Sequence, residues 1–472
     1  MGNILLLYGL HRVSSKVVLD EEKINIINQF YVGCNLSPLL FSIFISNLGH
    51  ELNSSGLGLQ LQNMNISAIF FADDIVVLGR SAKALSDLMD ISRTYFANHR
   101  LDISEKKSKV MAHDATTGTT TFTGSQQSSL TLEEVISFKY LGIPVCSKPY
   151  NLFKSFNDQV KKRSQSYLAS VLSLVKTGPD RAELAFALWT CCALPSILYG
   201  SEVMPLTQAT IAEVEKCQAQ VGKFMLQLPR SSASVSASLD AGLKPVWAVI
   251  AERVLLYACD TMKKTGDYWA RIAMNLNFES GTKSPYTRYL MKWKTKTNAN
   301  LLSAKFIKKS VNEAAIRDVL EQQREHSTTT FAMNPPDPAL KVMWFKPKTW
   351  VNDSCSTKII ARFRACNASL GNRGPTKDGR FYSLCPLCSA DGIDALNNEV
   401  HMIIECPKMT QYRNSCGIAS FIQAYRCSRP HLSALKLYAL YFNDLSADSM
   451  EWKSTDLYHM YLGWHSLMKI NI

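Results

Sequence analysis

The chain has 472 residues, and its 52 Lys and Arg against 39 Asp and Glu leave a formal net charge of +13. A basic excess of that size favours a polyanionic partner, while 46% hydrophobic residues can fill several cores, about three domains by length. No apolar run reaches the ~18 residues of a membrane span. Thirteen cysteines without a compact disulfide pattern, and no charged leader with a cleavage site, point to a reducing intracellular compartment.

In chain order, Met1-Gly2-Asn3-Ile4-Leu5-Leu6 begins like a myristoylation signal but has Leu6 where Ser or Thr is required. Residues 13–18 and 24–30 are short β-type runs. Gly33-Cys34-Asn35-Leu36-Ser37-Pro38-Leu39-Leu40-Phe41 then leads into a helix reaching about Glu51, with Leu40, Ile43, Phe44 and Leu48 as its buried stripe, Ser37 as cap and Pro38 in its first turn. Residues 57–61 alternate as a strand. Next, Phe71-Ala72-Asp73-Asp74 sits between the apolar runs Ala68-Ile69-Phe70 and Ile75-Val76-Val77-Leu78, a pattern that predicts a tight hairpin with its acids at the tip. Asp is also an ordinary turn residue, but an acid pair on a rigid hairpin suits a divalent cation, since Mg²⁺ takes hard oxygens from one or two carboxylates and a bound phosphate. An amphipathic helix follows from about Ala82, with Leu85, Leu88, Met89, Ser92, Tyr95 and Phe96 on its apolar face. The Thr/Ser/Gly-rich stretch 112–129 predicts a loop or hairpin, and Phe138-Lys139-Tyr140-Leu141-Gly142-Ile143 closes this region.

Beyond Gly142 the sequence is helical. Lys161-Lys162-Arg163 opens one helix, residues 181–189 lie in another, and Ile211, Val214, Cys217, Val221, Phe224, Met225 and Leu228 form a stripe at helical spacing. Basic and aromatic residues interleave at Tyr286, Arg288, Tyr289, Lys292, Trp293, Lys294 and Lys296, and again at Trp344, Phe345, Lys346, Lys348 and Trp350. Such mixtures neutralise phosphates and stack bases, or else are core aromatics beside solvated lysines. Cys385 and Cys388, His401 and Cys406 have the spacing C-x2-C-x12-H-x4-C, which offers three thiolates and an imidazole to a closed, structural Zn²⁺ site. Cys416 is a spare candidate, and Arg362, Arg364 and Arg380 lie nearby in sequence. No βαβ pattern surrounds the CxxC to make it a redox motif. Residues 407–472 hold no second acid constellation that reads as an endonuclease.

The block from Gly33 to Phe41, Phe-Ala-Asp-Asp, Lys107-Ser108-Lys109-Val110-Met111 and the block with Tyr-Leu-Gly, in that order, resemble the palm of the reverse transcriptases of non-LTR (LINE-like) retrotransposons. Residues 194–202 resemble the thumb of the same proteins, and the Cys/His motif resembles their zinc finger. The resemblance implies an α+β fold: a partial palm of antiparallel strands and helices (1–150), a helical thumb (151–260), a basic helical connector (261–360), a CCHC zinc finger (361–415) and a helical tail (416–472). It implies that Asp73 binds Mg²⁺ with Asp74 supporting it, and that Lys107 meets the leaving pyrophosphate. Gly33, Ser37 and Pro38 shape the nucleotide pocket, and Leu141 and Gly142 hold the primer end. The partners implied are RNA and DNA as primer-template or retroelement RNA, with dNTP as substrate and DNA copied from RNA as product. Two departures bear on this. Val32 stands where the family carries Gln, and the family's upstream metal-binding Asp has no counterpart, because Asp20, Glu21, Glu22 and Glu51 are the only acids before Asp73 and none lies in a matching strand pattern. Two-metal chemistry needs carboxylates on both sides of the ions, so the expectation is the C-terminal part of a reverse transcriptase, inactive alone, that takes up Mg²⁺ only if its palm is completed. The alternatives are a non-catalytic, zinc-containing nucleic-acid-binding protein of retroelement origin, or an inert genomic fragment.

Overall fold

The computed structural model describes residues 5–11, 37–62, 64–72, 74–99, 101–112, 118–123, 129–175, 181–230, 241–265, 268–281, 284–325, 384–395 and 398–428, with shorter pieces at 232, 234, 237–238, 363, 437, 441, 453, 456–457, 459–464 and 466–467. The expected strands at 13–18 and 24–30, the stretch 344–350, and Gly33, Asp73, Arg362, Arg364 and Arg380 lie outside these residues. The chain divides into two compact units: Met1–Asp158 with Asp260–Arg288, and Gln159–Cys259 with Tyr289–Ile472.

The first unit is α+β. Its main sheet runs in the order β4-β5-β1-β7-β9-β8, built from β1 (Leu5–His11), β4 (Ala68–Phe71), β5 (Asp74–Leu78), β7 (Lys109–Met111), β8 (Gly118–Thr123) and β9 (Ser129–Glu134). A short β6 (Asp102–Ile103) also pairs with β1. All pairings in this sheet are antiparallel except β7 with β9. Two hairpins stand apart, β2 (Leu59–Leu61) with β3 (Met64–Ile66), and β10 (Ser137–Tyr140) with β11 (Ile143–Cys146). The Thr/Ser/Gly-rich stretch thus contributes β8 and the start of β9, as a hairpin.

Strand β5 organises the core because both its faces are covered. Side chains alternate across a strand, so Ile75 and Val77 join the cluster formed with Leu48, Leu52, Leu85, Leu88 and Phe96, while Val76 and Leu78 turn the other way onto Ile66, Ile69, Phe138 and Tyr140. Helix α1 (Ser37–Ser54) and helix α2 (Ala82–Asn98) supply the first of these layers. Ser81 caps α2 by accepting from the Ala84 N–H at 3.1 Å, and the whole expected stripe from Leu85 to Phe96 is buried. For α1 the expected phase is wrong. Ile43 and Phe44 are exposed at 61% and 42%, and the buried stripe is Ile45, Leu48 and Leu52. The helix is apolar around most of its start, so spacing alone could not select the face that meets α2.

The second unit is helical in its described residues apart from short connections. Lys161-Lys162-Arg163 lie in the middle of the helix Pro149–Leu174 rather than at its start. The helix Gln208–Met225, capped by Thr207 through the Thr210 N–H, buries Ile211, Val214, Cys217, Val221 and Met225, with Phe224 and Leu228 half-buried. Trp189, fully buried in the π-helical stretch Leu188–Ala193, donates to Gln218 Oε1 at 3.1 Å, and Gln218 in turn donates to the Lys244 carbonyl at 2.9 Å. A side chain at Gly222 would place its Cβ 2.6 Å from the Ala237 carbonyl oxygen, so glycine permits that close approach. Among the described residues no helix is long and apolar enough to cross a membrane.

The packing around β5 sets a stability test. Leu88 has no exposed surface. Leu88→Ala should destabilise the first unit by about 2–5 kcal/mol, through lost burial and the cavity left behind. Ile43→Ala, on the exposed face of α1, should change stability by no more than about 0.5 kcal/mol. Urea unfolding followed by tryptophan fluorescence and circular dichroism measures both, and equal effects would refute the packing described.

Candidate functional site

The acidic hairpin is as tight as its sequence requires. Phe71 pairs with Asp74 across β4 and β5, so Ala72 and Asp73 are the connection between the strands. Ala72 has a φ of 50°, in the left-handed region that two-residue hairpin loops use. Asp74 is half-buried as the first residue of β5, beside an exposed Phe71. On its other side β5 pairs with β1, and Gly9 stands opposite Asp74. Leu5-Leu6-Leu7-Tyr8-Gly9-Leu10-His11 contains no carboxylate. The sheet neighbour of the acid pair therefore offers no second acid to ions held there.

The hairpin β10–β11 meets the same strand from below. Tyr140 pairs with Ile143, and the intervening Leu141 and Gly142 have φ values of 46° and 81°. Two successive left-handed residues are the signature of the type I′ turn, a conformation glycine accepts freely and leucine does not. Phe138 and Tyr140 pack on Val76 and Leu78. The Tyr140 hydroxyl is buried without a hydrogen-bond partner among the described residues, and burial, then the charge of Asp74, push its phenol up from the ordinary value. The acid hairpin and the Tyr-Leu-Gly hairpin are thus brought together through Tyr140, which the sequence reading quoted only as part of a motif. Its signal was the alternation of Phe138 and Tyr140, which puts both on one face.

The other expected residues of this region spread around that sheet. Ser37 and Pro38 begin α1. Lys107 is exposed in the turn between β6 and β7, where its N–H donates to the Ser104 carbonyl at 3.2 Å. Its neighbour Lys109 instead pairs with Glu133 at 2.6 Å, across β7 and β9.

The Cys/His motif converges. Ligand atoms of Cys385, Cys388, His401 and Cys406 all lie within 4.8 Å of one another, and all four residues are buried. Cys388 Sγ is 3.3 Å from His401 Nε2 and 3.6 Å from Cys406 Sγ. A turn carries the CxxC, with the Cys388 N–H on the Cys385 carbonyl, and a π-helical turn His401–Glu405 presents the histidine. Asn398 caps that turn by accepting from the His401 N–H at 2.8 Å. His401 Nδ1 lies 3.7 Å from a Glu405 carboxylate oxygen, leaving Nε2 to face the sulfurs. The bond from Cys406 pushes the Cys385 thiol down, and the same bond pushes Cys406 up, so one thiolate forms at its neighbours' expense. A cation among these sulfurs would relieve that conflict, and three thiols with one imidazole are a donor set that fits a tetrahedral metal. Cys416 stands apart, its Sγ on the Arg413 carbonyl. Arg413 is the residue that spacing could not reveal: buried, it donates to the carbonyls of Cys406 at 2.6 Å and Met402 at 3.3 Å, bracing the segment that carries His401 and Cys406.

Comparison with known families assigns the first of these regions. Residues 9–145 match the family described as reverse transcriptase (RNA-dependent DNA polymerase), an interval that contains the acid hairpin, α1, α2 and the Tyr-Leu-Gly turn. No curated protein matches the chain.

The hairpin loop gives a direct stability prediction. Ala72 is exposed, so replacing it removes no packing, and asparagine tolerates the left-handed region that disfavours alanine. Ala72→Asn should stabilise the first unit by up to about 1 kcal/mol. Chemical denaturation reads the change, and a clear loss of stability would contradict the geometry of this loop.

Proposed function

We propose that this chain, whose residues 9–145 form a reverse transcriptase domain, derives from a non-LTR retrotransposon and works as a nucleic-acid-binding protein whose palm lacks a complete set of metal carboxylates. The observation that carries the reading is the pairing of β1 with β5, in which Gly9 and not an acid stands opposite Asp74. Asp73 and Asp74 together suit one Mg²⁺ shared with substrate phosphates, but two-metal phosphoryl transfer needs acids that flank the ions from both sides. Among the described residues β1, the strand beside Asp74, does not supply that second side, so in this reading no catalytic step runs through these ions. If an upstream acid completed the palm, Mg²⁺ would stabilise the charge of the transferring phosphoryl group. Asp73 and Asp74 would then hold it, Lys107 would neutralise pyrophosphate, Gly33, Ser37 and Pro38 would shape the nucleotide pocket, and Leu141 with Gly142 would hold the primer end.

The partners in this reading are RNA and DNA, as primer-template or the element's own RNA, within the cell. The net charge of +13 supports them, and a phosphate-directed surface would recognise strands without reading their sequence. Residues 151–260 act as a thumb on the duplex, 261–360 as a basic connector and 361–415 as a zinc finger, with a helical tail from 416. For the finger, the donor set Cys385, Cys388, His401 and Cys406 favours Zn²⁺, and full protein coordination makes the ion structural.

Two measurements test this reading. The purified chain should extend a primer on an RNA template no faster than its own Asp73→Ala variant, and incorporation of dNTP that depends on Asp73 would overturn the catalytic part. The chain should also carry one zinc per molecule by elemental analysis, absent from the Cys385→Ser, Cys388→Ser double variant. Because metal binding is folding free energy in so small a module, chelation should unfold this region. A zinc-free wild-type chain would remove the finger from the account.

A further inference from the structure

The second unit contains a cavity of about 540 Å³ that neither the palm nor the Cys/His cluster uses. Its floor is apolar, with Ile211, Leu243, Pro245, Trp247 and Trp293 among its lining. The rings of Trp247 and Trp293 are nearly parallel, 9° apart in plane with centroids 6.3 Å apart. Both tryptophans are largely buried, as is Tyr289, which assigns the aromatic half of the 286–296 stretch to the core. The basic half stays at the surface: Lys292 and Lys296 are exposed, and with Lys216 they rim the cavity.

The charges around this rim do not balance among themselves. Glu215 is committed to the start of the helix Val246–Met262, where it accepts from the N–H groups of Val246 at 2.6 Å and Trp247 at 3.4 Å. Burial pushes its carboxyl up to about 7, so at neutral pH it carries only part of a charge. Asp318 accepts from Trp247 Nε1 at 2.8 Å and sits 3.4 Å from Lys296, whose ammonium also lies 3.8 Å over the Trp247 ring. That leaves Lys292, held 4.6 Å over Trp293, with no carboxylate partner among the described residues. Burial, and then the charge of Lys296 one turn away, push Lys292 down from its ordinary value. Two lysines at i and i+4 repel each other unless an anion lies between or beside them. Among the described residues Lys216, on another helix, has Glu213 as its carboxylate partner, at 3.8 Å and one turn away.

An apolar lining joined to a lysine-bearing rim suits a ligand that is apolar at one end and anionic at the other. We propose that this cavity is a nucleotide-binding site, in which the apolar floor takes a base and Lys216 and Lys292 take its phosphate. A nucleotide unit of a single strand is the occupant, since apolar contact with a base and lysine contact with its phosphate together hold such strands without sequence preference. The volume lies within the range of small-molecule pockets and accommodates one nucleotide, not a duplex. This inference rests on the nucleic-acid partner proposed above, and it adds a discrete site to what was a diffuse basic surface.

The test uses the full chain and a short oligo(dA), with tryptophan quenching and fluorescence anisotropy as readouts. Lys216→Ala with Lys292→Ala should weaken oligo(dA) binding about tenfold, the equivalent of one charge-assisted hydrogen bond. The same variant should reduce the slope of log K against log salt by about 0.7, one single-strand phosphate. Both side chains are exposed, so the fold should survive, and circular dichroism verifies it. Deoxyadenosine monophosphate should compete with the oligonucleotide, and competition by deoxyadenosine of equal strength would overturn the phosphate role. An unchanged affinity and salt slope in the double variant would overturn the site. Binding of a long primer-template duplex, measured in parallel, keeps the two readings distinguishable. Duplex binding without lysine dependence on oligo(dA) removes this site alone, whereas a chain that binds no nucleic acid removes the partner as well.

Discussion

Strand β5 is buried on both faces, and alternation along a strand then leaves no freedom in where its residues point. Ile75 and Val77 must meet α1 and α2, and Val76 and Leu78 must meet the β10–β11 hairpin. A slip of one residue would exchange the two sets and expose both layers. The register of β5 therefore fixes Asp74 at the edge of the core, paired with Phe71 of β4. It also fixes the distance of Tyr140, and with it the Leu141-Gly142 turn, from that carboxylate. A rigid support of this kind is what metal-directed acids need, because ligands placed on loops would have to be ordered again for each ion bound.

The strand beside the acid pair supports it without adding an acid. β1 completes the sheet as well as any strand could, pairing with β5, β6 and β7. Gly9 pairs with Asp74 and Tyr8 with Ile75, so β1 brings no carboxylate opposite the acid pair. The sheet needs a neighbour for β5, while the ions need a carboxylate on that neighbour.

Much of this arrangement was legible in residue order, and the parts that were not have physical causes. The acid hairpin could be read because β-type runs bracket a polar pair, and α2 because its stripe is interrupted by polar residues at regular spacing. The four residues of the Cys/His cluster could be read because thiol and imidazole spacing follows turn geometry. The phase of α1 could not, since Leu39, Leu40, Phe41, Ile43, Phe44 and Ile45 surround the helix with apolar surface and the packing partner alone decides. β1 was missed because Leu5-Leu6-Leu7 has no period, as is usual for a strand flanked on both sides. Arg413 was missed because a buried arginine is defined by the carbonyls it meets, which come from residues brought near only by the fold. The return of the helix Trp269–Glu279 to the first unit, where Trp269 and Ala273 line a groove with Leu59 and Ile66 of the β2–β3 hairpin, is likewise a long-range contact without a local signature.

The claim on which the account turns is that the acid hairpin holds its ions from one side only. Manganese, which substitutes for Mg²⁺ at oxygen sites and is visible by electron paramagnetic resonance, measures this directly. Titrated into the full chain with dNTP present, Mn²⁺ should give a single-ion spectrum at the hairpin that disappears in Asp73→Asn with Asp74→Asn. A pair of spin-coupled ions that disappears with the same substitutions would contradict the account, because a second metal there requires a carboxylate that β1 does not supply.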